Sequence, residues 1–148
     1  MAARRFSYEV ERTSSADAAT LFAMLSDGSR WSEWASPIVP SSTLLTEGDP
    51  APGGVGAIRK LGVGPLGLRE QTVAYEQDRL HGYVITSPTP MRDYRAEVRL
   101  TPRSDGGTDI HWSGGFAELI PGSGAVLAKA LESMIGRLAS KLVAAAEK

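Results

Sequence analysis

The last part of the chain carries the clearest pattern of hydrophobic and polar positions. Over residues 123–147, apolar side chains recur at steps of three and four, and alanines fill much of the remainder. This spacing places an apolar stripe along one face of an α-helix. The stripe consists of Leu127, Leu131, Met134, Leu138 and Leu142. The pattern predicts one long amphipathic helix, which needs a broad apolar partner to cover the stripe.

Alternating apolar and polar residues mark most of the chain before this helix as β-structure. The clearest example is the segment 94–101, in which every second residue is apolar. Such alternation is typical of strands with one buried and one solvated face. Turn sequences such as Asp105-Gly106-Gly107 separate these segments by the short distances that antiparallel pairing allows. The predicted strands are residues 6–11, 38–45, 55–61, 68–75, 82–86, 94–101 and 110–116.

Two short helices are predicted between the first and second strands. We expect the first to be capped by the hydroxyl of Thr13 or Ser14, with Asp17 in its first turn, and to end near Asp27-Gly28. Residues 29–34 are predicted to form a short helical turn. Because no repeat or linker interrupts the chain, residues 1–148 are predicted to form one α+β domain, a seven-stranded antiparallel sheet curved around the C-terminal helix.

Composition and charge narrow the classes of function. The net charge of −1 offers no basic surface, so we expect no nucleic-acid partner. The chain has no cysteine, which excludes disulfides and thiolate chemistry. No apolar run resembles a secretory signal or reaches the length of a membrane span, so we expect a cytoplasmic protein without membrane insertion. Its oligomeric state is predicted to be a monomer or a homodimer.

The sequence gives little support for a metal site, a phosphate-binding loop or nucleophilic catalysis. His81 and His111 fall on different segments, and we expect both at the solvated surface. A zinc site needs three or four closely placed ligands, so neither a metal nor a cofactor is expected. The glycine-rich segment 62–67 precedes a strand rather than a helix, which favours a hairpin loop over a phosphate-binding loop.

Glu70 is the candidate for acid–base chemistry. If its side of the fourth strand faces the interior, burial would raise the pKa of its carboxyl group toward useful values. Arg59 could lie opposite on the third strand and polarise a substrate carbonyl. Alternatively, Arg59 and Glu70 form a cross-strand ion pair at the sheet edge or surface. The sequence pattern leaves both interpretations open.

A second set of residues predicts a cavity for an apolar ligand. A strongly curved sheet over one helix is difficult to fill, and the small residues Ala96 and Gly114 would leave room on the inward side. Trp31 and Trp34 project the same way from a helical turn, so one would pack beneath the sheet and the other would roof the cavity. The predicted ligand-binding residues are Trp34, Tyr83, Tyr94, Trp112, Phe116, Leu131, Met134 and Leu138.

Two loops carry apolar residues that suggest an entrance to this cavity. Val63 and Leu66 lie in the loop 62–67, and Met91 lies in the loop 87–92. Apolar loop tips beside a cavity are typical of ligand entry, although the same residues could mark an interface with a protein partner.

The order of elements and several short motifs resemble the START-like helix-grip superfamily (SRPBCC), in particular its polyketide cyclase/dehydrase and lipid-transport-like branch. The motifs are Asp27-xxx-Trp31-xx-Trp34, Gly54-Val55-Gly56, Arg69-Glu70 and Gly106-Gly107-Thr108. The resemblance implies a seven-stranded sheet that grips the C-terminal helix around an apolar cavity. It also implies that the chain binds a small hydrophobic ligand such as a lipid, polyketide or aromatic metabolite, with transport of that ligand as a further role. The alternative is a cyclase or dehydratase that uses Glu70 as general acid/base.

Overall fold

An antiparallel sheet of seven strands forms the frame of the molecule. The computed structural model describes residues 4–62 and 67–148. The strands are β1 (Arg5–Ser14), β2 (Ser42–Thr46), β3 (Ile58–Leu61), β4 (Leu68–Glu76), β5 (Leu80–Ile85), β6 (Met91–Pro102) and β7 (Thr108–Glu118). They are arranged in the order β1-β7-β6-β5-β4-β3-β2. Register shifts in the β2/β3, β4/β5 and β6/β7 pairs bend the sheet locally. The predicted α+β helix-grip architecture is confirmed.

Two short helices follow β1, as predicted, but the first begins later than expected. Helix α1 (Ala18–Ser26) is capped by Asp17, whose Oδ1 accepts a hydrogen bond from the Thr20 amide at 2.8 Å. A cap at Thr13 or Ser14 is wrong, because β1 continues through Ser14 and pairs it with Thr108. A 3-10 turn (Gly28–Arg30) leads into helix α2 (Trp31–Ala35). Asp27 caps that turn through the amide of Ser29.

The second and third strands are shorter than the sequence suggested. Residues 38–40 precede β2, and Pro40 has no amide hydrogen to give to a ladder. Val55 makes only an isolated bridge to Asp49 before β3 begins at Ile58. In contrast, Met91 starts β6 instead of belonging to a loop. Of the predicted hairpin loop, residues 63–66, including Val63 and Leu66, lie outside the described residues.

Helix α3 (Gly124–Ala146) packs along the inner face of the sheet. Its C-terminal half carries the fully buried residues Ile135, Leu138, Ala139 and Leu142. Leu131 and Met134, nearer its N-terminal end, are only half-buried. Both face a space between the helix and the sheet, which explains why the same apolar stripe is unevenly covered along its length.

Candidate functional site

A cavity of about 400 Å³ lies between α3 and the strands β3 to β6. Trp31, Leu61 and Leu138 form part of its apolar wall, and Glu70, Tyr83 and Tyr94 bring polar groups to it. Other lining residues are only half-buried and mark the rim toward solvent: Ile38, Leu68, Ile85, Thr89, Met91, Leu131 and Met134. The interior of the fold is therefore hollow, as the curved sheet and the single long helix predict.

Neighbouring strands bring the polar groups together. Glu70 on β4 lies opposite Arg59 on β3, and Thr72, two residues further along β4, lies opposite Tyr83 on β5. Tyr83 in turn lies opposite Ala96 on β6, two residues after Tyr94. Since alternate residues of a strand share a face, the pleat directs these side chains to the same inner side of the sheet.

Arg59 and Glu70 form a buried ion pair. The Nε and Nη2 groups of Arg59 donate to Oε1 of Glu70 at 3.1 and 2.8 Å, and Nη1 donates to the carbonyl of Leu25 at 3.1 Å. The two residues are only 4% and 6% exposed. The cross-strand pair considered from the sequence is present, but in the interior and not at the surface.

Aromatic rings enclose the Arg59 guanidinium group on its remaining sides. Its central carbon lies 4.1 Å from the centroid of the Trp31 ring and 4.9 Å from that of Tyr83. Both distances are those of cation–π contacts. Arg59 does not line the cavity itself, so its contacts fix Glu70 and the aromatic wall.

The Glu70 carboxylate keeps one oxygen for the cavity. Both hydrogen bonds from Arg59 reach Oε1, and no described residue donates to Oε2. Burial raises the pKa of Glu70, and the charge and hydrogen bonds of Arg59 oppose that shift. The site therefore holds a carboxylate whose proton affinity is set by these two opposing effects.

Three tyrosine hydroxyl groups meet beside this carboxylate. The indole N–H of Trp112 donates to the Tyr83 hydroxyl at 3.2 Å, and the hydroxyls of Tyr8 and Tyr94 share a short hydrogen bond. Burial raises the pKa of Tyr8, Tyr83 and Tyr94, so all three are neutral near pH 7. Tyr8 was not among the predicted site residues, although its inward position in the alternation of β1 was visible in the sequence.

Tyr8 also occupies the room that Gly114 was expected to leave. The two residues are paired across β1 and β7, and a Cβ atom on Gly114 would lie 2.5 Å from the Tyr8 hydroxyl oxygen. The glycine therefore admits a tyrosine side chain and not a ligand.

His81 is buried, contrary to the expectation of a solvated side chain. It is 1% exposed, because the alternation of β5 places it on the same inner face as Tyr83. Its Nε2 lies 3.2 Å from Thr72 Oγ1, while Nδ1 has no partner among the described residues. Burial, assisted by the charge of Arg59, holds the pKa of His81 well below its ordinary value. His111 is half-exposed and lies 3.3 Å from Glu9 Oε1.

The structure separates the predicted ligand-binding residues into two groups. Tyr83, Tyr94, Leu131, Met134 and Leu138 line the cavity. The other three support it from outside the lining: Trp34 packs on Trp31, Trp112 contacts Trp31 and Tyr83, and Phe116 stacks on Phe6. Of the two neighbouring tryptophans, Trp31 is the one that reaches the cavity.

Other parts of the molecule offer weaker candidate sites. A larger open groove of about 810 Å³ runs between β1 and α3, but its lining includes the charged residues Glu9, Glu11, Arg12 and Lys129, which do not suit an apolar ligand. Within residues 4–62 and 67–148, no three His, Asp or Glu side chains converge as metal ligands would. No helix in the described part of the chain is long and apolar enough to cross a bilayer.

Comparison with known proteins agrees with this architecture. The sequence model of a family described as "Polyketide cyclase / dehydrase and lipid transport" matches residues 5–147. The chain belongs to this family. None of the curated proteins matches the chain in sequence. The helix-grip resemblance seen in the sequence motifs is thereby confirmed for nearly the whole chain.

Solved structures of similar fold come from several bacteria. A solution structure from Thermobifida fusca is 28% identical, has a TM-score of 0.72, and covers 95% of this chain and 91% of its own. A protein from Nitrosospira multiformis is 18% identical, with a TM-score of 0.71 and coverage of 97% and 100%. One from Bacillus thuringiensis is 17% identical, with a TM-score of 0.73 and coverage of 98% and 100%. These likenesses establish the fold and name no ligand.

Proposed function

We propose that this member of the polyketide cyclase/dehydrase and lipid-transport family binds a small, mainly apolar ligand in the cavity beneath α3. The observation that carries the proposal is the cavity itself, which has an apolar wall and a few polar groups held in place by hydrogen bonds. Its volume of about 400 Å³ falls within the range of small-molecule pockets, roughly 300 to 1,000 Å³. A lipid, polyketide or aromatic metabolite would fit this description.

The rim supports reversible binding. Met91, Leu131 and Met134 are half-buried and come from β6 and α3, so small movements of these two elements would open or close the mouth. Methionine is unbranched and adapts to guests of different shape. A carrier that must take up and release its ligand needs such a rim.

Native mass spectrometry of the protein purified from its own cells tests this proposal. We expect a bound organic molecule in the wild-type protein and its loss in Leu131→Trp, which fills the cavity mouth. Ala130→Trp is the matched control, because Ala130 is the neighbouring helix residue and is exposed. Wild-type protein that carries no guest, and gains none from a cell extract, would contradict the proposal.

A specific observation also favours a second candidate, an enzyme of the cyclase or dehydratase type. Glu70 lines the cavity, keeps one oxygen free of described donors, and has a pKa that burial raises. These are the properties of a general acid/base. In this alternative Arg59 positions Glu70, since its own donors are engaged by Glu70 and Leu25.

Glu70→Gln separates the carrier from the enzyme. For an enzyme, turnover of the molecule identified above should fall about 100-fold or more, well beyond any loss of affinity that the neutral amide causes. Glu97→Gln, on the half-exposed outer side of β6, is the control. The enzyme candidate fails if wild-type protein never converts the molecule and Glu70→Gln binds it normally.

A further inference from the structure

The polar groups of the cavity define the chemistry of the end of the ligand that they contact. We infer that this end is a neutral hydroxyl group, a phenol or an alcohol, carried on an apolar body. The inference rests on the proposed binding function. It adds a functional group to the size and polarity that the cavity requires of the ligand. It follows from counting the donors and acceptors that the protein leaves without a partner inside the cavity.

Tyr83 supplies a donor beside the cavity. The indole N–H of Trp112 can only donate, so the Tyr83 oxygen is the acceptor in their hydrogen bond. The Tyr83 hydroxyl proton is then left for the neighbouring Tyr8 hydroxyl or for the cavity. Because Tyr83 lines the cavity and Tyr8 does not, an oxygen of the ligand can accept this proton in place of Tyr8.

Tyr94 adds a second possible donor to the same region. Tyr8 and Tyr94 share one hydrogen bond, which uses only one of their two hydroxyl protons. When Tyr8 is the donor, the proton of Tyr94 is directed to the cavity, since Tyr94 lines it and Tyr8 does not. The three hydroxyl groups share two contacts, which use at most two of their three protons. When these hydrogen bonds run in one direction along the cluster, the remaining proton lies on Tyr83 or Tyr94, and both of these residues line the cavity.

Glu70 supplies the unused acceptor. Oε1 receives both hydrogen bonds from Arg59, while Oε2 receives none from a described residue. Glu70 lies opposite Ile85 on β5, two residues from Tyr83, and Arg59 contacts both Glu70 and the Tyr83 ring. The acceptor and the donor therefore belong to neighbouring side chains on the same wall of the cavity.

A hydroxyl group of the ligand can bond to both Glu70 and Tyr83 through one oxygen atom. It donates its proton to Glu70 Oε2 and accepts the proton of Tyr83. An ether or ketone oxygen can only accept, and would leave the carboxylate unsatisfied. A carboxylate anion would be repelled by Glu70. A cation would gain little, because Arg59 already balances the charge of Glu70.

Calorimetric titration with three naphthalenes tests the inference. The probes are 2-naphthol, which donates and accepts, 2-methoxynaphthalene, which only accepts, and naphthalene, which does neither. We expect 2-naphthol to bind at least about tenfold more tightly than 2-methoxynaphthalene, as a hydrogen bond to a charged acceptor should provide. Equal affinities for the three probes would overturn the inference and leave the proposed function standing. If none of them binds, the proposed function itself is contradicted.

The variant Tyr83→Phe tests whether the preference for 2-naphthol arises at the Tyr83 hydroxyl group. Removing its hydroxyl should reduce the advantage of 2-naphthol over naphthalene about three- to tenfold, in line with the loss of one hydrogen bond. Tyr75→Phe is the matched control, because the Tyr75 hydroxyl bonds to Gln77 in an exposed position. Thermal melting establishes that both variants are folded. A Tyr83→Phe protein that keeps the full preference would overturn the assignment.

Discussion

The side chain of Arg59 connects three parts of the structure beside the cavity. It neutralises Glu70, donates a hydrogen bond to the Leu25 carbonyl in the last turn of α1, and stacks against Trp31. These contacts lie in a region from which water is largely excluded. Removing one charge of a buried pair leaves the other without compensation, which costs more than the pair itself contributes.

Arg59→Met should therefore reduce the free energy of unfolding by about 3–5 kcal/mol, as expected when one partner of a buried ion pair is removed. The matched surface change is Arg99→Met, which breaks the exposed pair with Glu97 and should cost less than about 1 kcal/mol. Urea denaturation measures both. The double variant Arg59→Met, Glu70→Leu should recover much of the loss, and equal effects of the two single variants would contradict this account of the pair.

Gly28 controls the position of the Arg59 stem. A Cβ atom on Gly28 would lie 2.5 Å from the Arg59 Cβ and 2.8 Å from its Cδ. We expect Gly28→Ala to destabilise the protein by about 1–3 kcal/mol, as overpacking does. Gly136→Ala should instead be neutral or stabilise by up to about 1 kcal/mol, since a Cβ atom on that helical glycine would meet only the terminal Nη2 atom of Arg12, at 3.2 Å. Denaturation midpoints that fall equally for both variants would contradict this contrast.

At the scale of elements, the ends of α3 are tied to the N-terminal part of the chain. Glu147, which follows the helix, accepts hydrogen bonds from the Ser14 hydroxyl and the Ser15 amide, each at 2.9 Å. At the other end, Gly124 packs so closely against Phe6 that a Cβ atom would lie 2.0 Å from its ring. The helix is thereby held across the cavity, and Leu131 and Met134 face the cavity between its two ends.

The hydrogen bonds to Glu147 lower the pKa of its carboxyl group, which fixes the sign of a pH effect. Their stabilising contribution is present above the unfolded-state value of about 4.3 and is lost as the pH falls through the lower folded-state value. Glu147→Gln should melt at a lower temperature than wild type at pH 7, with a smaller difference at pH 3. Glu132→Gln, on an exposed position of α3, should melt as wild type does at pH 7. If the difference in melting temperature between wild type and Glu147→Gln is larger at pH 3 than at pH 7, the hydrogen bonds to Glu147 do not stabilise the protein in this way.

The elements that the sequence predicted best are those with strict periodicity. The segment 94–101 lies within β6, and the helical pattern at 123–147 is α3 within one residue at each end. The sequence could not show that β1 runs through Ser14, because a hydroxyl residue suits a strand end as well as a cap. The position of Trp31 in the cavity wall was likewise hidden, since its partners Arg59 and Trp112 come from distant segments.

At the scale of the whole molecule, burying His81 links stability to pH. Its folded-state pKa lies well below the ordinary value of 6.5, so the folded protein excludes a proton that the unfolded chain binds. The free energy of unfolding should therefore be highest above about pH 6.5 and should decrease as the pH falls below that value. The same burial places a nitrogen that has no partner in residues 4–62 and 67–148 next to the aromatic wall of the cavity, where a second charge would meet that of Arg59.

Urea denaturation between pH 7 and pH 5 tests this linkage. Wild type should lose stability over the interval, and His81→Gln should lose less, because glutamine can keep the hydrogen bond to Thr72 without titrating. His111→Gln, a change of the half-exposed histidine, is the matched control. If His81→Gln and wild type show the same slope, the buried histidine does not cause the acid sensitivity.

The most direct test of a hollow, ligand-binding interior is a methyl NMR titration with 2-naphthol. We predict saturable shifts confined to the methyl groups that line the cavity, with Leu61, Ile85, Met134 and Leu138 among the strongest. The methyl signals of Leu45 and Val126, which are exposed and do not line the cavity, should not move. Met134→Trp should abolish the shifts by filling the space. Shifts that never saturate, or that cluster in the charged groove between β1 and α3, would contradict the account.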